Sequence, residues 1–135
     1  MSPGRKCGTG RKLSIVFIDS CVVIDFMRGD DLIKERLLLI DKPCINYIVE
    51  MELIRGANNK RELNRIEMDL NFFKRLPFHD AVADLSTALI RDYSLSHNLQ
   101  IPDAIIAATC LVYDIPLYTH NLKDFRFIHA IKLFK

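Results

Sequence analysis

The chain has 135 residues, half of them hydrophobic and 27% charged, with a net charge of +2. That length suffices for one domain with its own core and no crosslinks. Its four cysteines, Cys7, Cys21, Cys44 and Cys110, form no Cys-x-x-Cys pair, and no run of roughly eighteen apolar residues occurs, so a disulfide framework, a zinc knuckle and a membrane span are all disfavoured and a cytoplasmic protein is expected.

Residues 1–12 carry Arg5, Lys6, Arg11 and Lys12 without an acid and read as a flexible basic tail; the remainder holds 15 basic and 17 acidic residues and argues neither for nor against a nucleic-acid partner. The domain proper is expected over 13–135. Leu13–Ile18 is a compact apolar run suited to a buried parallel strand. A short helix follows over Cys21–Met27. Gly29 stops it, and Asp30 and Asp31 start another helix that runs to about Asp41. Pro43 leads into a second strand near Cys44–Tyr47. Ile48–Ala57 reads as a helix with Gly56 as a left-handed cap.

Asn58–Arg75 continues as an amphipathic helix, with Leu63, Ile66, Leu70 and Phe73 at helical spacing. Pro77 and Phe78 suggest a brief strand. Asp80–His97 and Asp103–Tyr113 are the two longest helical patterns, the second opened by Pro102. Pro116–Thr119 reads as a strand, and Ile131–Phe134 as a candidate last one. Strands alternating with helices predict an α/β sandwich with a mostly parallel sheet.

Acidic residues fall at the ends of these elements. Asp19 directly follows the first strand, Glu52 lies on the helix after the second, Asp103 opens the most apolar helix, and Asn121 and Asp124 follow Pro116–Thr119. Binding sites in open α/β sheets form outside the carboxyl ends of the strands. Taken singly, each acid has an ordinary explanation. Asp103 suits a helix N-terminus, Asp124 suits a turn, and Glu52 competes with Glu50 two residues away. Asp19 is harder to explain as a surface acid, because Phe17, Ile18, Val22 and Val23 surround it in sequence.

The order of the acids resembles that of the PIN-domain family, especially its VapC-type toxins. Asp19-Ser20-Cys21-Val22-Val23-Ile24-Asp25-Phe26-Met27-Arg28-Gly29 resembles the family's opening. Glu52-Leu53-Ile54-Arg55-Gly56-Ala57 is similar to its Glu-Leu-x-x-Gly segment, and Ile101-Pro102-Asp103-Ala104-Ile105-Ile106-Ala107-Ala108-Thr109 to its third motif. Thr119-His120-Asn121-Leu122-Lys123-Asp124-Phe125 resembles the fourth, Thr-x-Asn-x-x-Asp-Phe. The likeness runs from about Val16 to the C-terminus. Cys21 departs from the usual Ser or Asn, and Asn46 and Val49 replace Ser or Thr ahead of the Glu-Leu motif.

The resemblance implies a three-layer sandwich with about four or five strands, and a metal-dependent endoribonuclease acting as the toxin of a toxin–antitoxin pair. Asp19, Glu52, Asp103 and Asp124 would be the metal ligands, with Asn121 beside them as a catalytic partner. It further implies an RNA substrate, 3′-hydroxyl and 5′-phosphate products, a small VapB-like antitoxin and a homodimer, for which Leu32–Ile40 and Ile48–Ile54 offer an apolar face.

Elementary electrostatics agrees with that ligand set. Two carboxylates about 5 Å apart repel by roughly 3 kcal/mol at an effective dielectric of about 20, so a cluster protonates or separates unless a cation joins it. All-oxygen ligands select a hard ion, Mg²⁺ or Mn²⁺. Arg28, Arg55, Lys123 and Arg126 flank the motifs as candidate phosphate contacts, and Tyr47 as a candidate stacking residue.

Other chemistries lack their motifs. No Gly-x-Gly-x-x-Gly follows a strand, and Gly4, Gly8 and Gly10 miss phosphate-loop spacing. His79, His97, His120 and His129 have no metal-ligand spacing, and no serine elbow or cysteine-nucleophile context occurs. A phosphoacceptor receiver would need an adjacent acid pair after the first strand, where only Asp19 stands. The remaining alternatives share the fold: a PIN nuclease of RNA maturation or one acting on DNA, or a non-catalytic module that binds RNA or a partner.

Overall fold

The computed structural model describes residues 13–134. The expected basic tail over 1–12 lies outside them. The elements run β1 (Leu13–Ile18), α1 (Ser20–Met27), α2 (Asp31–Leu38), β2 (Ile40–Ile45), α3 (Tyr47–Arg55), α4 (Lys60–Leu70), β3 (Lys74–Arg75), α5 (Asp80–His97), α6 (Ile101–Tyr113) and β4 (Leu117–Tyr118), with a single 3₁₀ turn at Leu122–Asp124. Four parallel strands form one sheet in the order β3-β2-β1-β4. This is the mostly parallel α/β arrangement expected from the sequence, with strand number at the lower end of the range. The chain's last segment adds only a parallel bridge between Leu117 and Leu133.

Strand order positions the site. β1 is paired with β2 on one side and β4 on the other, so the chain builds outward from β1 through β2 to β3 and then crosses back to place β4 on the opposite side of β1. The crevice at such a switch point is where α/β sheets bind ligands. Phe17 pairs with Leu117 and Ile18 with Tyr118; the residues that follow, Asp19 and Thr119, therefore emerge side by side despite lying 100 positions apart. The core beneath them is built from Val16, Phe17 and Ile18 of β1, Val22 and Val23 of α1, and Ala104, Ile106, Ala107 and Ala108 of α6. Burial at nearly every position of β1 after Leu13 and Ser14 explains its unbroken apolar run.

Local sequence explains most boundaries. Asp19, Asp30, Asn46 and Asn59 cap α1, α2, α3 and α4, the last three by accepting a hydrogen bond from a backbone N–H three residues on. α5 and α6 end at Asn98 and Asp114, both at φ 54°, left-handed positions that Asn and Asp tolerate better than most residues.

Several element boundaries and one helix cap differ from the sequence expectation. α2 stops at Leu38 rather than near Asp41, and β2 already begins at Ile40 with Pro43 inside it. β3 pairs only with Cys44 and Ile45, so at Pro43 the strand has a neighbour on one side alone and a residue without an N–H is tolerated. Gly56 closes α3 at φ −75° and is no left-handed cap. The helix expected over 58–75 is α4 followed by β3, and the brief strand lies at Lys74–Arg75 instead of Pro77–Phe78. Leaving the helix at Leu70 swings Phe72 and Phe73 onto Phe26, with ring centroids 4.9 and 5.6 Å away.

Candidate active site

Asp19 ends β1 and caps α1, and is only 5% exposed. Its two oxygens are held differently. Oδ1 accepts from the Ser20 N–H at 2.7 Å, and Oδ2 accepts from the Thr119 hydroxyl at 2.8 Å and from the Cys21 thiol at 3.6 Å. Thr119 in turn accepts from the Asn121 N–H at 3.0 Å. The cysteine that replaces the family's Ser or Asn thus keeps a contact with Asp19, by a long and weak donor.

The other expected acids gather around this anchor. Burial and the charge on Asp19 raise the Glu52 carboxyl above its ordinary range. Asp103, on the first turn of α6, is pushed up to about 6, first by burial and then by Asp19, Asp124 and Glu52. All four acids therefore share one electrostatic field. Glu50, the rival of Glu52, faces the other way: Arg75 Nε and Nη2 donate to its two oxygens at 2.6 and 3.1 Å. Asn121 is present through its backbone, and its exposed side chain makes no hydrogen bond among the described residues.

The acids approach without closing into a cage. Among the described residues no three His, Cys, Asp or Glu side chains are grouped tightly enough to hold one ion. The donor set nevertheless fits a hard cation: oxygen ligands only, mutually repelling, and with no ion pair to Asp19, Glu52, Asp103 or Asp124 among the described residues. Two hollows flank the cluster. A cleft of about 430 Å³ is lined by Glu52 together with Ile24, Met27, Leu53, Ile66 and Arg28, and a cavity of about 180 Å³ by Asp103, Asp124, Lys123 and Gln100. Of the four candidate phosphate contacts, Arg28 and Lys123 line these hollows. Tyr47 is 49% exposed on α3.

A buried polar contact joins the helices that carry Glu52 and Asp103. Asn46, only 2% exposed, caps α3 through Oδ1 to the Val49 N–H at 3.1 Å and donates from Nδ2 to Thr109 of α6 at 3.3 Å. The Thr109 hydroxyl completes the chain by donating to the Ile105 carbonyl at 2.7 Å. The Asn that departs from the family pattern therefore ties the helix carrying Glu52 to the helix carrying Asp103.

Sequence reasoning named the acids but assigned no role to Thr119, which orients Asp19, and set His120 aside. The His120 N–H donates to Cys21 Sγ at 3.4 Å, and its Nε2 lies 2.8 Å from Asp25 Oδ2. Neither contact has a local signature; the strand register is what creates them.

The model of the PIN domain matches residues 16–129. The chain belongs to the PIN-domain family. Its likeness to other PIN domains extends over nearly the whole fold. Ribonuclease VapC of Rickettsia bellii is 28% identical, covering 87% of this chain and 93% of the relative. Ribonuclease VapC10 of Mycobacterium tuberculosis is 30% identical, covering 87% and 91%. Among solved structures, a toxin–antitoxin complex from Klebsiella pneumoniae superposes with a TM-score of 0.73 at 31% identity, covering 86% of this PIN domain and 94% of that chain. DNA-bound VapBC from Salmonella typhimurium gives a TM-score of 0.78 at 25% identity, covering 90% and 97%.

Proposed function

We propose that this PIN domain is a VapC-like toxin, an endoribonuclease that needs Mg²⁺ or Mn²⁺ and is silenced by a small antitoxin. The observation that carries the reading is the carboxylate field at the switch point. Four acids from four separate segments act on one another, and Asp103 is raised to about 6 with no cation of the described chain to offset it. Relatives named as ribonucleases and toxin–antitoxin complexes of the same fold support the substrate and the partner.

Asp19, Glu52, Asp103 and Asp124 would hold the metal. A divalent ion held there would supply positive charge to offset a scissile phosphate and would lower the pKa of water, making hydroxide available as the nucleophile. The chain's own residues prepare that chemistry. Thr119 and the Ser20 N–H fix both Asp19 oxygens in one orientation. Asp103 must give up its proton before it can ligate. Arg28 and Lys123, at the two flanking hollows, are placed to receive phosphates along an RNA strand. The cleft beside Glu52, apolar with acidic and basic groups at its margin, offers an antitoxin segment a seat over the acids.

Leu32, Leu38 and Leu39 of the α2 region and Tyr47 and Met51 of α3 are all about half exposed or more. That supports the homodimer face expected over Leu32–Ile40 and Ile48–Ile54; a monomer mass by light scattering would retire it. No described helix is long and apolar enough to cross a membrane, and the three described cysteines are free thiols, in keeping with a cytoplasmic protein.

The deciding experiment is RNA cleavage by the purified chain in Mg²⁺ or Mn²⁺, in EDTA, and with Asp19→Asn. Cleavage should require metal and vanish in the variant. Undiminished cleavage by Asp19→Asn, or equal cleavage in EDTA, rejects the site.

A further inference from the structure

The geometry points to Asp25 and His120 as a positioning pair, a clasp that holds the loop after β4 against α1 and so aims Asp124 at the other acids. Cys21 and Asp25 are four residues apart on α1 and share a face of the helix. The loop lies along that face and touches it twice through one residue. The His120 N–H meets Cys21 Sγ at 3.4 Å, and the ring Nε2 meets Asp25 Oδ2 at 2.8 Å.

The loop is fixed firmly at its two ends. Thr119 is buried and bonded to Asp19, and Phe125 is 1% exposed in the core. Between them Asn121, Leu122, Lys123 and Asp124 are all exposed. The only backbone bonds described in this stretch are local ones, from the Asp124 N–H to the Asn121 carbonyl and from the Phe125 and Arg126 N–H groups to the Leu122 carbonyl. Among the described residues His120 is the one of the span 120–124 whose side chain makes a hydrogen bond to another element, which makes its grip on Asp25 the natural control on where the Asp124 carboxylate sits.

An exposed polar contact contributes little to global stability, and this one is 41% and 35% exposed on its two sides. A purely decorative pair and a clasp therefore make different predictions. Loss of a clasp loosens one loop and leaves the melting temperature nearly unchanged, whereas loss of a decorative pair changes neither.

The proposal rests on the nuclease reading for its consequence but not for its test. Native-state hydrogen exchange on the full chain, without metal or RNA, should show the Asn121 and Asp124 amides exchanging roughly tenfold faster in Asp25→Ala and His120→Ala than in wild type. The double variant should be no worse than either single one, because both remove the same contact. His120→Gln, whose amide can still donate to Asp25, should recover part of the protection. Unchanged exchange in both alanine variants overturns the clasp.

RNA cleavage supplies the second arm. Both alanine variants should lose roughly tenfold in kcat with little change in KM, and should need more Mn²⁺ for half-maximal rate. Normal kcat and Mn²⁺ requirement beside loosened amides also overturns the clasp, since the loop would then move without disturbing Asp124. A wild type that cuts no RNA in any metal overturns the nuclease reading instead, leaving the exchange result to judge the clasp.

Discussion

Two edges of the same sheet treat carboxylates in opposite ways. At β3, Glu50 is gripped by both nitrogens of an Arg75 fork, so the chain neutralises its own acid. At the β1–β4 crevice, Asp19 is steered by a hydroxyl and a backbone N–H, while Glu52 and Asp103 are raised by burial and by neighbouring acids. Glu50 and Glu52 are two residues apart on one helix, so sequence distance has no part in this difference. Glu50 is paired as the chain folds; Glu52 and Asp103 have no ion pair among the described residues and shift toward their protonated forms instead.

The largest expected effect is at the uncompensated edge. Asp103→Asn should lower RNA cleavage by at least about a hundredfold, while the metal-free protein melts at the same temperature or higher because one repelling charge is gone. A variant that keeps most of its activity would dissolve the contrast between the edges. Next, saturating Mn²⁺ should stabilise the wild type by about 2–3 kcal/mol at a hundredfold excess over its dissociation constant, read as a rise of several degrees in melting temperature. A flat response at millimolar Mn²⁺ would show that the acids do not cooperate on an ion.

The pH dependence follows in size. The folded Asp103 carboxyl keeps its proton up to about 6, whereas an unfolded one loses it near 4. Folded chains therefore hold the extra proton in between, and stability falls as pH rises through that window. Allowing for partial solvent screening, metal-free wild type should be weaker at pH 7 than at pH 4.5 by on the order of 1–2 kcal/mol from this group. Glu52 adds to the fall in the same direction. Comparing chemical denaturation of wild type and Asp103→Asn isolates the Asp103 share, which should be absent from the variant. The smallest effect belongs to the self-neutralised edge. Glu50→Gln should cost about 1 kcal/mol of stability at neutral pH and leave the rate of RNA cleavage intact; a strong loss of cleavage would mean that Glu50 shares the work assigned to Glu52.

Much of this contrast was legible in the sequence. The apolar run before Asp19 and the helical patterns of α5 and α6 were plain in the sequence, and the family order of the acids pointed to one candidate site. What escaped is explained by how the signal is lost. β3 is two residues long and has no period to read. The helical spacing of Leu70 and Phe73 ran straight through the break after Leu70, because both residues are buried on either side of a change in backbone. Pro43 argued for a strand start until the strand proved to have one free flank there. Glu50 and Glu52 were separable only by a partner 25 residues away, and Thr119, Cys21 and His120 gained meaning from contacts spanning about a hundred positions. Sequence patterns carry local geometry; register between distant strands carried the rest.

The Asn46–Thr109 contact has one more consequence. Because the link between α3 and α6 is buried and made by side chains that also bond to their own helices, the two helices that carry Glu52 and Asp103 are joined from the inside, away from the rim. Substitutions at the exposed margin would therefore leave the contact between the two helices in place. Loss of that single amide would be felt at both acids together, however conservative the surface around them.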